Sequence, residues 1–342
     1  MLYKNKFMIA APAALLLSGF ATVSQAATLD DVQERGNLSC GVNVGLTGFS
    51  APDEDGHWQG LDVEICRGVA AAVFGDASKT TFTPLTAKER FTALQSGEID
   101  MLSRNTTWTA TRDNSLGLNF TGVAFYDGQG FMLSKELGID SLEQLDGASI
   151  CIQAGTTHEL NLADYFPSRN IDIRTVTFDT PDQTVKGFES GRCDVLTSDT
   201  SQLAALRLQL PDPGSVEILP ELISKEPLGP VVRQGDDQWF DIVKWTLFAM
   251  INAEELGVTS ENVDEMKANP PNPKVARLLG VEGSYGEQLG LSSDWAYQIV
   301  KDVGNYGEVF ADNVGKNSPL DVERGLNALW TEGGLMYAPP VR

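Results

Sequence analysis

A chain of 342 residues, 42% of them hydrophobic, has enough apolar material for more than one core. Its formal charge of −22 repels phosphate backbones and argues against nucleic acid as a partner. With only His57 and His158 and four widely spaced cysteines there is no zinc-knuckle pattern, and neither a metal site nor any other cofactor is expected.

Residues 1–26 read as a secretory signal peptide. Lys4 and Lys6 precede an apolar run from Phe7 to Phe20, and the small residues Ser24 and Ala26 suit cleavage before Ala27. The run is shorter than the roughly 20 residues a membrane span needs, and no later stretch is long and apolar enough to cross a bilayer. Export would place Cys40, Cys66, Cys151 and Cys193 in an oxidising compartment, where an even number of cysteines implies disulfides.

The first strand is expected at "LSCGVNVG" (38–45), running into a glycine turn and then a helix. Further on, "TAKERFTALQSGEIDML" (86–102) predicts a helix opened by a Thr86–Glu89 capping box, in which the two side chains satisfy free amides reciprocally. Phe91 and Leu94 mark its buried face, Gly97 its left-handed end, and 99–103 a short strand. The loop "RNTTWTATRD" (104–113) then gathers two arginines, an asparagine and threonine hydroxyls. Guanidinium forks match carboxylates in paired bonds, so the stretch reads as an anion cradle.

A second strand at "ASICIQAG" (148–155) leads into "GTTHE" (155–159) and the helix "HELNLADYF". Thr156 and Glu159 form a capping box by spacing, which leaves Thr157 free to offer its hydroxyl or amide to a ligand carboxylate at a helix N-terminus. His158 is expected in a solvated first turn. "TPDQTVKGFESGRCDVL" (180–196) then repeats 86–102 at a constant offset of 94. Thr180 and Gln183 take the capping places, Pro181 the first helical position, Val185 and Phe188 the buried face, Gly191 the end, and 195–198 the strand. The same offset carries Asn105 onto Asp199. Strands alternating with helices predict parallel α/β sheets with a ligand crevice beyond the strands' carboxyl ends. Two copies imply two lobes, one offering arginines and amide donors and the other a carboxylate, an arrangement that fits a zwitterion.

Taken together, "GVNVGLTGFSAPDEDGHWQGLDVEICRGVAAAVFG", "LQSGEID", the loop through Arg112, "GTTHELNLADYF" and "GRCDVLTSD" resemble the extracytoplasmic solute-binding proteins of polar amino acid ABC transporters, in particular their long general L-amino acid subgroup. The matching pieces cover most of residues 37–250. The resemblance implies a type II periplasmic-binding-protein-like α/β fold. Lobe 1 would comprise 27–128 and 229–342 with a C-terminal extension, and lobe 2 would comprise 129–228. The lobes would be hinged at "YDGQGFML" and "KEPLGPVV". It puts the ligand's α-carboxylate on Arg112, with Asn105 and Thr107 beside it and Thr156 and Thr157 on the Gly-Thr-Thr turn, and the α-ammonium on Asp199. It also implies a periplasmic monomer that performs no chemistry and serves a membrane permease. Departures are Leu46 in place of a stacking aromatic, Ala87 in place of a bulkier residue, and Arg104 where serine is frequent. The first two imply a roomy pocket and broad specificity for L-amino acids. A narrower glutamate/glutamine/aspartate/asparagine-binding protein and an exported small-carboxylate lyase or dehydratase are the alternatives. Cysteine pairing within lobes, Cys40–Cys66 and Cys151–Cys193, is expected because bonds between lobes would oppose hinge motion. The chain beyond about 250 is expected to pack on lobe 1 through Trp295, Tyr297, Tyr306 and Trp330.

Overall fold

The computed structural model describes Met1 and residues 28–342, so the signal segment and its cleavage site fall outside the described residues. After helix α1 (Thr28–Arg35), the first half of the chain lays down β1 (Leu38–Asn43), α2 (Leu61–Phe74), β2 (Thr80–Leu85), α3 (Arg90–Ser96), β3 (Met101–Leu102), α4 (Ala110–Ser115) and β4 (Leu118–Phe120). Strand β5 (Phe125–Asp127) crosses to a second unit of β6 (Gln129–Ser134), β7 (Ser149–Gln153), α5 (His158–Tyr165), β8 (Arg174–Phe178), α6 (Pro181–Glu189), β9 (Val195–Asp199), α7 (Thr200–Arg207) and β10 (Val216–Ile218). Strand β11 (Glu226–Leu228) returns, and β12 (Val231–Arg233) and α8 (Asp237–Glu255) rejoin the first unit.

The two sheets share one plan. The first runs β2-β1-β3-β12-β4, with β2 and β3 parallel to β1 and β12 antiparallel to both its neighbours. The second runs β8-β7-β9-β6-β10, with β8 and β9 parallel to β7 and β6 antiparallel to both its neighbours. The sequence repeat extends to individual hydrogen bonds. The Asp100 carboxylate accepts the Ser39 N–H at 2.7 Å while its own N–H donates to the Ser39 carbonyl at 2.8 Å. Asp194, ninety-four residues after Asp100, makes the same pair of bonds with Ser149 at 2.8 and 2.9 Å.

The helix starts differ from the expected capping boxes. Thr180 does cap α6, accepting the Gln183 N–H at 3.2 Å with Pro181 in the first position, but the Gln183 side chain takes the Asp179 N–H. At the first copy, the Thr86 hydroxyl and N–H both donate to Glu89, and the helix begins only at Arg90. Arg90 is therefore buried and Phe91 only half-buried. Thr156 and Glu159 form no box: the Thr156 hydroxyl donates to the Gln153 carbonyl at 2.7 Å and Glu159 accepts from the Gly155 N–H.

The two crossings pair antiparallel, Glu226 opposite Asp127 and Leu228 opposite Phe125. Gly229 is needed beside them, because a Cβ there would lie 1.9 Å from the Gly122 carbonyl oxygen. Both disulfides lie within units as expected, Cys40–Cys66 joining β1 to α2 and Cys151–Cys193 joining β7 to the segment before β9. The chain after α8 packs on α2 and α8, with Trp295, Tyr306 and Phe310 buried in the core that also holds Leu61, Val69 and Trp239. Tyr297 is only partly buried, and Trp330 is exposed and stacks edge-on with Tyr337. The tail also grips the first crossing. Asn327 accepts the Tyr126 N–H at 2.7 Å and donates to the Tyr126 carbonyl at 3.1 Å, and the Tyr306 hydroxyl donates to the Ala124 carbonyl at 2.7 Å. Among the described residues no helix is long and apolar enough to cross a membrane.

Candidate functional site

The carboxyl ends of β3 and β9 face each other across the crossings, and the loops that leave them define a cleft. After β3 the chain is pinned by Asp62 at the start of α2, whose carboxylate accepts from the Ser103 hydroxyl at 3.0 Å and the Asn105 N–H at 2.7 Å. Burial pushes the Asp62 carboxyl up to about 6, against those two bonds and the charge of Arg104. Asn105 takes a left-handed φ of 33°, a conformation asparagine tolerates better than most residues. Residues 106–108 then run beside β11, with the Trp108 N–H donating to Pro227 and the Gly229 N–H to Thr106. Thr109 caps α4, and Arg112, one turn in, folds back to donate to the Thr107 carbonyl at 2.9 Å.

One cavity, about 250 Å³ of empty space, is lined by Arg104, Asn105, Thr107, Arg112, Thr156, Thr157 and Asp199, and also by Arg90, Gln153, His158 and Gln202. All seven residues expected at the ligand are thus brought together. Leu46 and Ala87 are not among the lining: Leu46 is fully buried in the first unit's core and Ala87 packs against Gly155. They therefore lend no support to a roomy pocket. Contacts between the units close the cleft, including Asn105 to Gln202 at 3.2 Å, Lys88 to Asp179 at 2.6 Å and Arg90 to the Gly155 carbonyl at 3.5 Å.

His158 corrects the expectation of a solvated histidine. It is 3% exposed, with Nε2 3.0 Å from Asp199 Oδ1. Burial works to lower its pKa, but the charge and hydrogen bond of Asp199 and the charge of Glu226 outweigh it and raise it above the usual value. Glu226, on the return crossing, accepts from Thr157, Asn161 and Ser224. Burial alone would raise its pKa, yet the hydroxyls of Ser224 and Thr107 and the charge of His158 hold it below the usual carboxylate value. The Thr157 hydroxyl, expected on a ligand, is thus engaged by Glu226. Asp127 is raised by burial and then by the neighbouring charge of Asp199.

Three arginines share this space at 2%, 1% and 8% exposure for Arg90, Arg104 and Arg112, and none makes an ion pair among the described residues. Arg90 and Arg112 lie 4.8 and 5.3 Å from the Phe91 ring, which accounts for that ring's half-exposed position. Arg90 Nε, Arg104 Nη2 and His158 Nδ1 are buried without a hydrogen-bond partner. His158, Asp199 and Glu226 present ligating atoms within 4.8 Å of one another. Their bonds to each other and to hydroxyls, beside three guanidiniums, make a charge network rather than a cation site. Arg90, His158, Gln202 and Glu226 were not among the expected site residues. His158 stands in the turn already expected at the cleft and Gln202 three residues beyond the expected Asp199, whereas nothing pointed to Arg90 or Glu226.

The family of bacterial extracellular solute-binding proteins, family 3, matches residues 38–262. The chain is similar to the putative amino-acid ABC transporter-binding protein YhdW of Escherichia coli strain K12, 60% identical over 340 residues, covering 99% of this chain and 100% of that one. It is 58% identical over 341 residues to the general L-amino acid-binding periplasmic protein AapJ of Rhizobium johnstonii, covering 99% and 100%. An ABC transporter periplasmic binding protein from Brucella ovis, solved with glutathione bound, is 55% identical, with a TM-score of 0.91 over 93% of this chain and 100% of that one. With two α/β lobes, a cleft at their strand ends and this likeness over nearly its whole length, the chain belongs to the bacterial extracellular solute-binding proteins of family 3.

Proposed function

We propose that the protein captures L-amino acids of several kinds in the periplasm and delivers them to the permease of an ABC transporter, acting as a monomer. The observation that carries this reading is the buried opposition of Arg112 on one lobe and Asp199 on the other across one cavity. Arg112 receives the α-carboxylate, with Arg104, Asn105, Thr107 and the backbone amides of Thr156 and Thr157 as further donors around it, and Asp199 receives the α-ammonium. The lobes divide at 128/129 and 228/229, so the crossings act as the hinge, and closure excludes water and strengthens the charge-assisted bonds. The names of YhdW and AapJ support an amino acid ligand, and the glutathione of the Brucella ovis protein carries the same α-ammonium and α-carboxylate pair. We read the cleft as binding without turnover, in keeping with the names of the relatives YhdW and AapJ.

A thermal-shift panel of L-amino acids, their D-forms, γ-aminobutyrate and simple dicarboxylates tests the reading. At about 100 times Kd a ligand stabilises the fold by about 2.7 kcal/mol, a readily measured rise in Tm. Several L-amino acids should stabilise the protein and return unchanged on mass analysis. Stabilisation by dicarboxylates lacking an amine, or recovery of a turned-over product, would contradict it.

A further inference from the structure

Asp199 stands where a helix would ordinarily claim its side chain. It is the N-cap of α7, and an aspartate there normally turns its carboxylate onto the free N–H groups of the first turn. Asp199 makes no such bond. Its Oδ1 lies 3.0 Å from His158 Nε2, and it lines the cavity between the lobes. The first turn of α7 is served instead from outside the helix. Asp127, the last residue of β5, accepts the Thr200 N–H at 3.2 Å and the Ser201 N–H at 3.3 Å, together with both hydroxyls. Its own carboxylate is braced by the Gly128 N–H at 2.8 Å. The arrangement is costly. Burial and then the charge of Asp199 push the Asp127 carboxyl up to about 7, against the bonds from Ser201, Thr200 and Gly128. Two carboxylates at the start of one helix call for a reason, since either could cap it alone. Opposite Asp127 on the return crossing, Glu226 engages the first turn of α5 through the Thr157 hydroxyl and the Asn161 amide. The two lobe 2 helices whose first turns border the cavity are thus both held by acids on the crossings.

We infer that Asp127 is a positioning residue: by capping α7 in place of Asp199 it releases the Asp199 carboxylate to the cleft, where, under the capture reading on which this role rests, that carboxylate meets the ligand's ammonium. Asp127 is not among the residues that line the cavity, so it acts only through Asp199. Without it, the orphan amides of α7 draw Asp199 back onto its own helix, and His158 loses its partner. The cap also ties Asp199 to a strand that joins the lobes, so the ammonium acceptor moves with that strand when the lobes rotate.

His158 reports on the cap without any ligand. The chain has two histidines, so NMR can follow its titration in the ligand-stripped protein. The charges that shift it are those of Asp199, Glu226 and Arg112, and that of Asp199 raises it most. In Asp127→Ala the His158 midpoint should fall, and affinity for L-glutamate, measured by calorimetry, should drop about tenfold or more. Asparagine caps as well as aspartate, so Asp127→Asn should keep both near wild type although it removes the charge. Should the alanine variant fail to fold, Thr200→Val with Ser201→Ala strips the hydroxyl anchors from Asp127 and should lower both quantities, by less. A midpoint and affinity unmoved in the folded alanine or double variant overturns the inference. A folded Asp127→Asn protein that loses either also overturns it, because the charge of Asp127 and not its capping would then be the cause. Failure of the wild type to bind any L-amino acid overturns the capture reading, while the His158 midpoint still decides the cap.

Discussion

Asp199 serves two cations, the imidazole it already touches and the ammonium it is proposed to receive. The groups facing His158 are Asp199, Glu226 and Arg112, and their balance raises its pKa above the ordinary 6.5. Below that pKa the imidazolium already neutralises Asp199, and an arriving ammonium meets a like charge. Above it the imidazole is neutral and Asp199 is available. Affinity should therefore rise between about pH 5 and about pH 8, and calorimetry on His158→Gln should find the dependence flattened. Equal affinity across that range in the wild type would contradict the sharing of Asp199. Stability of the ligand-free protein should run the other way. The raised His158 pKa contributes stability that is present below 6.5 and lost as pH rises through the folded value. Asp62 acts in the same sense, since a carboxyl that titrates near 6 when folded and near 3.8 when unfolded loses stability across that interval as pH rises. Thermal unfolding without ligand should show a lower Tm near pH 8 than near pH 5. Arg112→Ala should cost about 2–5 kcal/mol of binding, because the α-carboxylate is left unpaired in a closed cleft. Micromolar affinity retained by a folded Arg112→Ala protein would remove Arg112 from the clamp.

At the scale of elements, the repeat is carried by function-independent geometry. Asp100 and Asp194 each close the start of a first strand onto the start of a third, through Ser39 and Ser149. Replacing Asp194 by Ala should destabilise the second lobe by about 1–3 kcal/mol, as the Ser149 amide and hydroxyl lose their charged acceptor, while ligand selectivity is unchanged. Each disulfide closes a loop within one lobe, with sequence separations of 26 and 42. Removing either should cost about 2–5 kcal/mol without locking or freeing the hinge, and non-reducing peptide mapping should find no bond between lobes. Much of this was legible in the sequence, because the offset of 94 tied Asn105 to Asp199 and gave two sheets of one plan. What escaped notice has a physical cause. Helix α3 starts three residues later than a Thr86 cap predicts, which turns Arg90 inward and leaves Phe91 as a ring for two guanidiniums to rest on. The His158 side chain is held inward by a partner 41 residues away, and Glu226 reaches the site from the far crossing, so neither leaves a local signal.

Over the whole molecule, the two lobes meet through polar contacts such as Asn105 to Gln202 and Lys88 to Asp179, and the C-terminal extension holds the first crossing. Asn327 saturates both backbone groups of Tyr126 on β5, and Arg324 pairs with Glu254 at 2.9 Å to fix the tail against α8. Asn327→Ala should leave those hinge groups without their partner, so hydrogen exchange at the Tyr126 amide should quicken while amides in the core of α8 keep their protection. The tail, whose role the sequence did not disclose, thereby supports the first crossing between the lobes. Capture as proposed requires that an L-amino acid span the cleft with its carboxylate on one lobe and its ammonium on the other. A crystal structure of the ligand-stripped protein soaked with L-glutamate tests it most directly. The expected result is the α-carboxylate in paired bonds to the Arg112 guanidinium and the α-ammonium on Asp199, with both lobes in contact with one molecule. Glutamate bound in reverse, held by one lobe alone, or lodged outside the cleft would contradict it.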